Sequence, residues 1–440
     1  MPTFLHLSDV HLGYNRYNNG ERTKDFFYAF RDCIERYALT PPVDFVLIVG
    51  DLFEHRSIQP NILNQAQIVL DLLHNAQIPV LAIEGNHDNC PYGTKTSWLR
   101  YLTEQNGLML LEPEDGSPQI LTPWDPETRR GAYVDLDCGV RVVGSRWYGA
   151  STPQAVKKIA QALAELPSQS DYTVMMLHHG LEGQVARYAG ALRYEDLLPL
   201  QEAGVDYLAL GHIHKNYVEQ GWIFNAGSVE ANTIAESRDQ ITRGVYRVNL
   251  SPQGIEADLK QDYQQRPIYR LRLETNKNWT QVELENQAIA LMPPDNPFKD
   301  AIVELRIQGQ VGFDRLDINI RSLQDRLKAA SQALIFLLKY EVTGIEYQRT
   351  INQDENLSRE AIETIVFEDL LAGYQRYEEN LNLFSKGLIG LKSKILDGER
   401  SEDIYSYIEA LLKDLPEQAA QAAQAALDKL SELSTESEKI

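Results

Sequence analysis

The chain has 440 residues, 43% of them hydrophobic, and a formal net charge of −21. That length suggests two or three domains with sizeable cores, and the acidic balance argues against a general basic coat for nucleic acid. No apolar stretch approaches the roughly 20 residues of a spanning helix. Cys33, Cys90 and Cys138 form no C-x-x-C pair, and Met1-Pro2-Thr3 opens no basic-then-apolar leader, so a reducing cytoplasm and no membrane contact are expected.

Residues 1 to about 262 alternate short apolar runs with helical patterns, which is α/β grammar. The run Thr3–Leu7 leads into Ser8-Asp9-Val10-His11, and residues 25–39 read as a helix. Phe45–Val49 leads into Gly50-Asp51 and is followed by a helix over 61–75, with Ile62, Ala66, Val69 and Leu73 on one side. Val80–Ile83 leads into Gly85-Asn86-His87-Asp88, and 139–144 reads as a strand. Residues 173–177 lead into His178-His179, and 207–210 into Gly211-His212-Ile213-His214, before a further strand at 244–248.

The grammar changes near 264–267. Strands are expected at Ile268–Glu274, 301–307 and 334–340, with a Pro-rich loop at 292–297. A helix is expected over 314–330, with Leu316, Ile320, Leu323 and Leu327 at helical spacing, so the unit reads as a small α+β domain. From Ser358, an N-cap with Glu360 in the first turn, the pattern is helical. Ile362, Ile365, Val366, Phe367 and Leu370 make a stripe that packs on its own domain or docks a partner, and further helices are expected at 403–412 and 416–433. The expected domains are 1–262, 263–345 and 346–440.

Five apolar runs end in Asp, Asn and His clusters. In open α/β sheets, sites assemble beyond the carboxyl ends of the strands, so the five clusters should meet. Carboxylate, amide oxygen and imidazole suit manganese, iron or zinc, whereas thiolates would favour softer metals. A hydrolytic two-ion site needs this mixture and one bridging ligand. His6, inside a strand, reads as packed, and His74, in a helix, as solvated.

The ordered set Asp-x-His, Gly-Asp, Gly-Asn-His-Asp and Gly-His-x-His resembles the calcineurin-like metallophosphoesterase superfamily across residues 9 to 214. The narrower resemblance is to the SbcD-type DNA double-strand-break-repair nuclease subunit family. It is carried by residues 5–14, Gly50-Asp51-Leu52-Phe53, Ile83-Glu84-Gly85-Asn86-His87-Asp88, Gly211-His212-Ile213-His214 and Gly227-Ser228-Val229-Glu230. It implies a two-sheet α/β metallophosphoesterase sandwich with a small α+β capping domain and a helical C-terminal region. It also implies two divalent ions, manganese first among the compatible metals. Asp9, His11 and His214 would hold one ion, Asn86, His178 and His212 the other, and Asp51 would bridge them. His178 is favoured over His179 because the family's ligand directly follows its strand. His87 would stabilise the phosphate and protonate the leaving oxygen, with Glu54 expected as its carboxylate partner; the competing reading puts His55 or Arg56 on the phosphate. Tyr14, Asn15, Arg16 and Tyr17, on a loop beside the metals, could stack on bases or hold a phosphate, and Gly93, Lys95, Thr96 and Ser97 could touch a backbone.

The resemblance implies a DNA exonuclease and endonuclease whose C-terminal helices dock on an SbcC-type coiled-coil ATPase and whose first domain forms homodimers. The alternative is a phosphodiesterase or phosphatase acting on a small nucleotide or monoester. A third reading is a repair scaffold whose chemistry is secondary.

Overall fold

The computed structural model describes residues 1–167, 169–184, 190–237, 242–293, 295–344, 359–372, 381–397 and 401–413. The expected N-cap Ser358 and the expected helix at 416–433 lie outside the described residues. By packing, the chain divides into two compact units: Met1–Arg270 with Pro297–Glu304 and Ala333–Ile335, and Leu271–Asn296 with Leu305–Gln332 and Phe336–Ile440.

The first unit holds two six-stranded sheets. In the first sheet, β1 (Thr3–Leu7), β2 (Phe45–Val49), β3 (Val80–Ile83) and β4 (Met109–Leu110) run parallel. The antiparallel strands β11 (Val245–Ser251) and β12 (Gly254–Lys260) extend the β1 edge. In the second sheet, β6 (Val140–Val143), β7 (Tyr172–His178), β8 (Tyr207–Gly211) and β10 (Ile223–Asn225) are parallel. The antiparallel strands β5 (Tyr133–Asp135) and β9 (Tyr217–Glu219) close its two edges.

Because side chains alternate across a strand, each strand feeds two cores. Phe4, Phe45, Leu47, Val49, Leu81 and Ile83 face Val142, Val174, Met176, Tyr207 and Phe224 between the sheets. Phe4 stacks on Phe45 at 4.8 Å and meets Tyr207 edge-on at 5.2 Å, so aromatic contacts tie the sheets together. The opposite residues of β1 and β2, among them Leu5, Leu7, Val46 and Ile48, pack under α1 (Gly20–Tyr37), α2 (Pro60–Asn75) and α3 (Trp98–Glu104). Met175, Leu177, Leu208 and Leu210 pack under α4 (Thr152–Ala164) and α5 (Tyr194–Glu202). The result is a mixed α/β sandwich, layered helix, sheet, sheet, helix. Each fully buried Leu, Ile or Phe contributes about 1.5–3 kcal/mol, so this apolar framework holds the polar site at its edge.

Helix α1 starts five residues before the expected position 25. Asn19 accepts a hydrogen bond from the Glu21 amide at 3.0 Å, and this cap carries the helix back across Gly20. Helices α4 and α5 were not anticipated; Pro199 interrupts α5, whereas Pro153 at the first turn of α4 is a helix-start signal that the reading passed over.

The three-stranded sheet has the order β13 (Ile268–Glu274), β14 (Ile302–Val311), β15 (Ile335–Gly344). Two helices accompany it, α6 (Gln281–Ala290) and α7 (Ile320–Ser331). The expected start of α7 at 314 is corrected to 320. Asn319 caps the helix by accepting from the Ser322 amide at 3.0 Å, and Asp314 instead makes a turn with the Leu316 amide at 2.9 Å. Leu323 and Leu327 are buried, while Leu316 and Ile320 are exposed. Further on, α8 (Arg359–Ala372) pairs with α9 (Leu381–Leu396) through Leu371 and Phe384, and α10 (Ser401–Lys413) packs on α9. Among the described residues, no helix is long and apolar enough to cross a membrane.

Candidate metal centre

The turns bearing the expected ligands leave the carboxyl ends of β1, β2, β3, β7 and β8, at one end of the sandwich. Main-chain hydrogen bonds lace these turns together. The Asp9 amide donates to the Gly50 carbonyl at 3.1 Å and the His11 amide to the Asp51 carbonyl at 3.0 Å. Across the sandwich, the His212 amide donates to the Asp9 carboxylate at 3.0 Å. Asp9, His11, Asp51 and His212 all have left-handed φ angles, 54°, 51°, 54° and 85°. Such non-glycine conformations cost about 1–3 kcal/mol each and persist only where surroundings enforce them. Two glycines make room. Gly50 has φ +79°, and a Cβ there would lie 2.3 Å from Nδ1 of His178; a Cβ at Gly85 would lie 2.1 Å from Oδ1 of Asp51.

Two groups of acceptors result. In the first, Nε2 of His11 and Nε2 of His214 face each other at 3.1 Å, with Oδ1 of Asp9 3.9 and 3.7 Å from them. In the second, Nε2 of His178 lies 3.3 Å from Oδ1 of Asn86, which is 2.9 Å from Nδ1 of His212. Asp51 stands between the groups: its Oδ2 is 3.2 Å from Nε2 of His178 and 4.0 Å from Nε2 of His11. Its Oδ1 accepts from the His87 amide at 2.9 Å. The structure thus gathers all seven expected ligands, Asp9, His11, Asp51, Asn86, His178, His212 and His214. His179 turns away, toward the Gly180 and Gly149 carbonyls. His6 is packed against the Tyr207 hydroxyl and the Leu210 carbonyl, and His74 is exposed.

The donor set fits divalent cations on two grounds. First, the far nitrogens of three imidazoles face acceptors. Nδ1 of His11 is 2.7 Å from Oε2 of Glu54, Nδ1 of His214 is 3.2 Å from Oε1 of Glu236, and Nδ1 of His178 is 2.8 Å from the Val49 carbonyl. A neutral imidazole protonated on that side turns a lone pair into the centre. Lone pairs and carboxylates then converge with only the Ser8 hydroxyl and the His87 and His212 amides as neutral donors to the carboxylates, which calls for positive charge. Second, the titration tendencies show that same demand. Burial opposes charge on His178, yet Asp51, Asp9 and the Val49 carbonyl together raise its pKa to about 9. Burial pushes Asp51 up, but His178, His11 and His87 hold it well below the ordinary carboxylate range. Here an imidazolium stands in for a cation, and a bound metal would displace its proton. Burial and the neighbouring His178 take His212 the other way, down to about 4.

Glu54 and His87 meet differently from the expected pair. The Glu54 carboxylate lies against His11, and its nearer oxygen is 3.9 Å from Nδ1 of His87. His87 instead places Nδ1 2.7 Å from the Glu54 main-chain carbonyl. The reason is the turn after β2: the Leu52 and Phe53 amides both bond Asp88, which leaves residue 54 presenting its carbonyl toward His87. His55 is exposed, and Arg56 lays its guanidinium over Tyr92 at 5.2 Å. Tyr14 sits 6.5 Å from the His11 ring with Phe26 behind it, and Arg16 is exposed beside Tyr17. Ser97, read as a backbone contact, is buried and caps α3 through the Arg100 amide at 3.1 Å.

Three residues were given no role in the sequence reading. Asp88 is buried and accepts from the Leu52, Phe53 and Gly85 amides at 3.1–3.2 Å, clamping two ligand turns together; burial and nearby Asp51 raise its pKa to about 7. Trp147 stacks on His179 at 5.6 Å and stands 5.2 Å from His212. It follows β6, so the rule applied to the other strand ends would have found it. Glu236 lies on a short 3-10 turn, Ile234–Ser237, with no local signal.

A fold of two parallel-centred sheets with this acceptor cluster at the strand ends defines a class, and comparison agrees: residues 2–216 match the family described as Calcineurin-like phosphoesterase. The chain therefore carries a calcineurin-like metallophosphoesterase domain. Its homologues include proteins named DNA double-strand break repair protein Mre11. That of Archaeoglobus fulgidus is 32% identical over 59% of this chain and 60% of its own length. That of Saccharolobus solfataricus is 31% identical over 57% of this chain and 61% of its own. That of Haloferax volcanii is 26% identical over 95% of this chain and 83% of its own. The chain thus spans about 60% of the first two relatives' lengths.

Proposed function

We propose that this protein is a metal-dependent phosphodiesterase that cleaves DNA as an exonuclease and endonuclease of the SbcD type. The observation that carries the reading is Asp51, whose carboxylate stands between two groups of converging acceptors. Two divalent ions held there, manganese by preference, with iron or zinc also suited to the donors, would activate water and neutralise charge on the phosphoryl group. Asp9, His11 and His214 would hold one ion, Asn86, His178 and His212 the other. Asp51 would fix their separation, with its second oxygen pinned by the His87 amide. The His87 ring, at the partly open mouth of the site, would donate a proton to the leaving oxygen, oriented by the Glu54 carbonyl. Tyr14, half-buried, and Arg16, exposed, would meet a base and a phosphate, with His55 and Arg56 on the next turn.

The names of the relatives support DNA as the substrate. An SbcC-type ATPase and a second copy of the chain are the assemblies that the family resemblance implies. Exposed Ile362, Ile395, Leu396 and Tyr405 on the C-terminal helices suit the first, and Tyr28 and Ile68 on α1 and α2 the second. The free thiols of Cys33, Cys90 and Cys138 suit the cytoplasm. The net charge of −21 favours the competing reading, a small nucleotide or monoester substrate, because it repels a long polyanion. Incubation with Mn²⁺ and end-labelled linear DNA, alongside bis-p-nitrophenyl phosphate, separates the two. Shortened DNA is the expected product; cleavage of the small ester alone would overturn the nuclease reading.

A further inference from the structure

We infer that the two ion sites are unequal by construction, and that Glu236 is a positioning residue for His214 that selectively supports the site of Asp9, His11 and His214. The inference rests on the two-ion reading above. Oε1 of Glu236 lies 3.2 Å from Nδ1 of His214. Its other oxygen accepts from the Asn232 amide at 2.9 Å, so the carboxylate is itself held. The turn that carries it and the segment before it are both anchored. The Ile234 amide donates to the Tyr17 hydroxyl at 3.3 Å, and Glu230 is buried against Arg22 while accepting from the Arg266 amide at 2.8 Å. Just before them the Val229 amide reaches the Asp9 carbonyl at 3.4 Å, which ties this segment to the first ligand turn.

Such a carboxylate does two things. By accepting from Nδ1–H it selects the tautomer whose Nε2 lone pair faces Asp9, and it makes that nitrogen a stronger donor to a cation. Glu54 also stands behind the other imidazole of this site, with Oε2 2.7 Å from Nδ1 of His11, as a charge contact without hydrogen-bond alignment. Both imidazoles of the first site therefore carry a carboxylate at their backs. In the second site His178 is backed by the Val49 main-chain carbonyl, which is neutral and cannot be altered by substitution. Removing Glu236 should free the His214 ring to rotate and lower the affinity of one site only.

The experiment is a titration of the metal-free full chain with Mn²⁺, read by electron paramagnetic resonance. Wild type should take up two ions that couple magnetically. Glu236→Ala should take up one isolated ion at the same concentration, with the second filling only at roughly 10–100-fold higher Mn²⁺. Glu236→Gln, which keeps an acceptor but no charge, should fall between, and it serves alone if the alanine variant does not fold. A generally loosened site would weaken both ions together, and that outcome overturns the inference, as do two ions with wild-type midpoints in both variants. Fewer than two ions in wild type would instead sink the two-ion reading itself.

Discussion

His11 and His214 rest against carboxylates at 2.7 and 3.2 Å, whereas His178 rests against a main-chain carbonyl at 2.8 Å. The two halves of the centre use the same ring and orient it by different means. The first depends on Glu54 and Glu236, which come from the β2 turn and from a 3-10 turn more than 180 residues later. The second depends on strand register: β7 sets His178 opposite Gly211 of β8, and Val49 ends β2 of the facing sheet. One half is therefore tunable by side chains, and the other is fixed by the sandwich. Asp51 is the element that the halves share, and it gives the sharpest test. Asp51→Asn should abolish binding of the ion pair and reduce turnover by more than the loss expected for any proton donor. Two tightly bound Mn²⁺ in that variant, counted by metal analysis after gel filtration, would break the proposed sharing.

Next in size is His87→Ala. The ring is not one of the seven expected ligands, although it makes a further potential ligand group with His11 and Glu54, and it touches Glu54 through the main chain. Both ions should remain, and turnover should drop by roughly 10²–10⁴-fold. Loss of a metal would move His87 from proton donor to ligand. Gly85→Ala probes the shared element from the backbone side, since its Cβ would lie 2.1 Å from Oδ1 of Asp51. The β3 turn sits at the rim of a rigid core, so the strain should fall on the carboxylate. The expected outcome is a folded protein with weakened uptake of both ions, unlike the single-ion loss expected for Glu236→Ala. Unchanged Mn²⁺ midpoints would show that Asp51 can swing aside without cost.

How far the sequence could be read follows the same division. Strand ends are local: a short apolar run followed within three positions by a ligand is visible in one window, and Thr3–Leu7, Phe45–Val49 and Val80–Ile83 are read to the residue. The seven expected ligands lie at such ends, so their meeting follows from the sheet rule. The supports are not local. Glu236 reaches His214 from 22 positions on, and Glu54 turns to His11 because two amides before it are taken by Asp88. The family resemblance paired the Glu54 carboxylate with His87, whereas its carbonyl makes the 2.7 Å contact and the carboxylate stands 3.9 Å away. Likewise Leu316 fits a helical period, but the cap at Asn319 excludes it from α7.

The smallest effect concerns a histidine that belongs to neither half. His6 lies between the sheets, fully buried, with Nδ1 2.8 Å from the Tyr207 hydroxyl and Nε2 3.0 Å from the Leu210 carbonyl. Burial lowers its pKa from 6.5 to about 4. The unfolded chain therefore takes up a proton near pH 6.5 that the folded chain refuses until about pH 4. Stability supported by neutral His6 is complete above pH 6.5 and falls as the pH drops through that window, by up to about 1.4 kcal/mol per pH unit. His6→Gln keeps a polar group for the Leu210 carbonyl and cannot titrate. In urea unfolding with EDTA present, to silence the metal centre, the variant should be less stable than wild type at pH 8. The gap should narrow steadily toward pH 4.5. A gap that stays constant would mean that the ring is solvated or already protonated, and that the core between the sheets is wetter than its packing indicates.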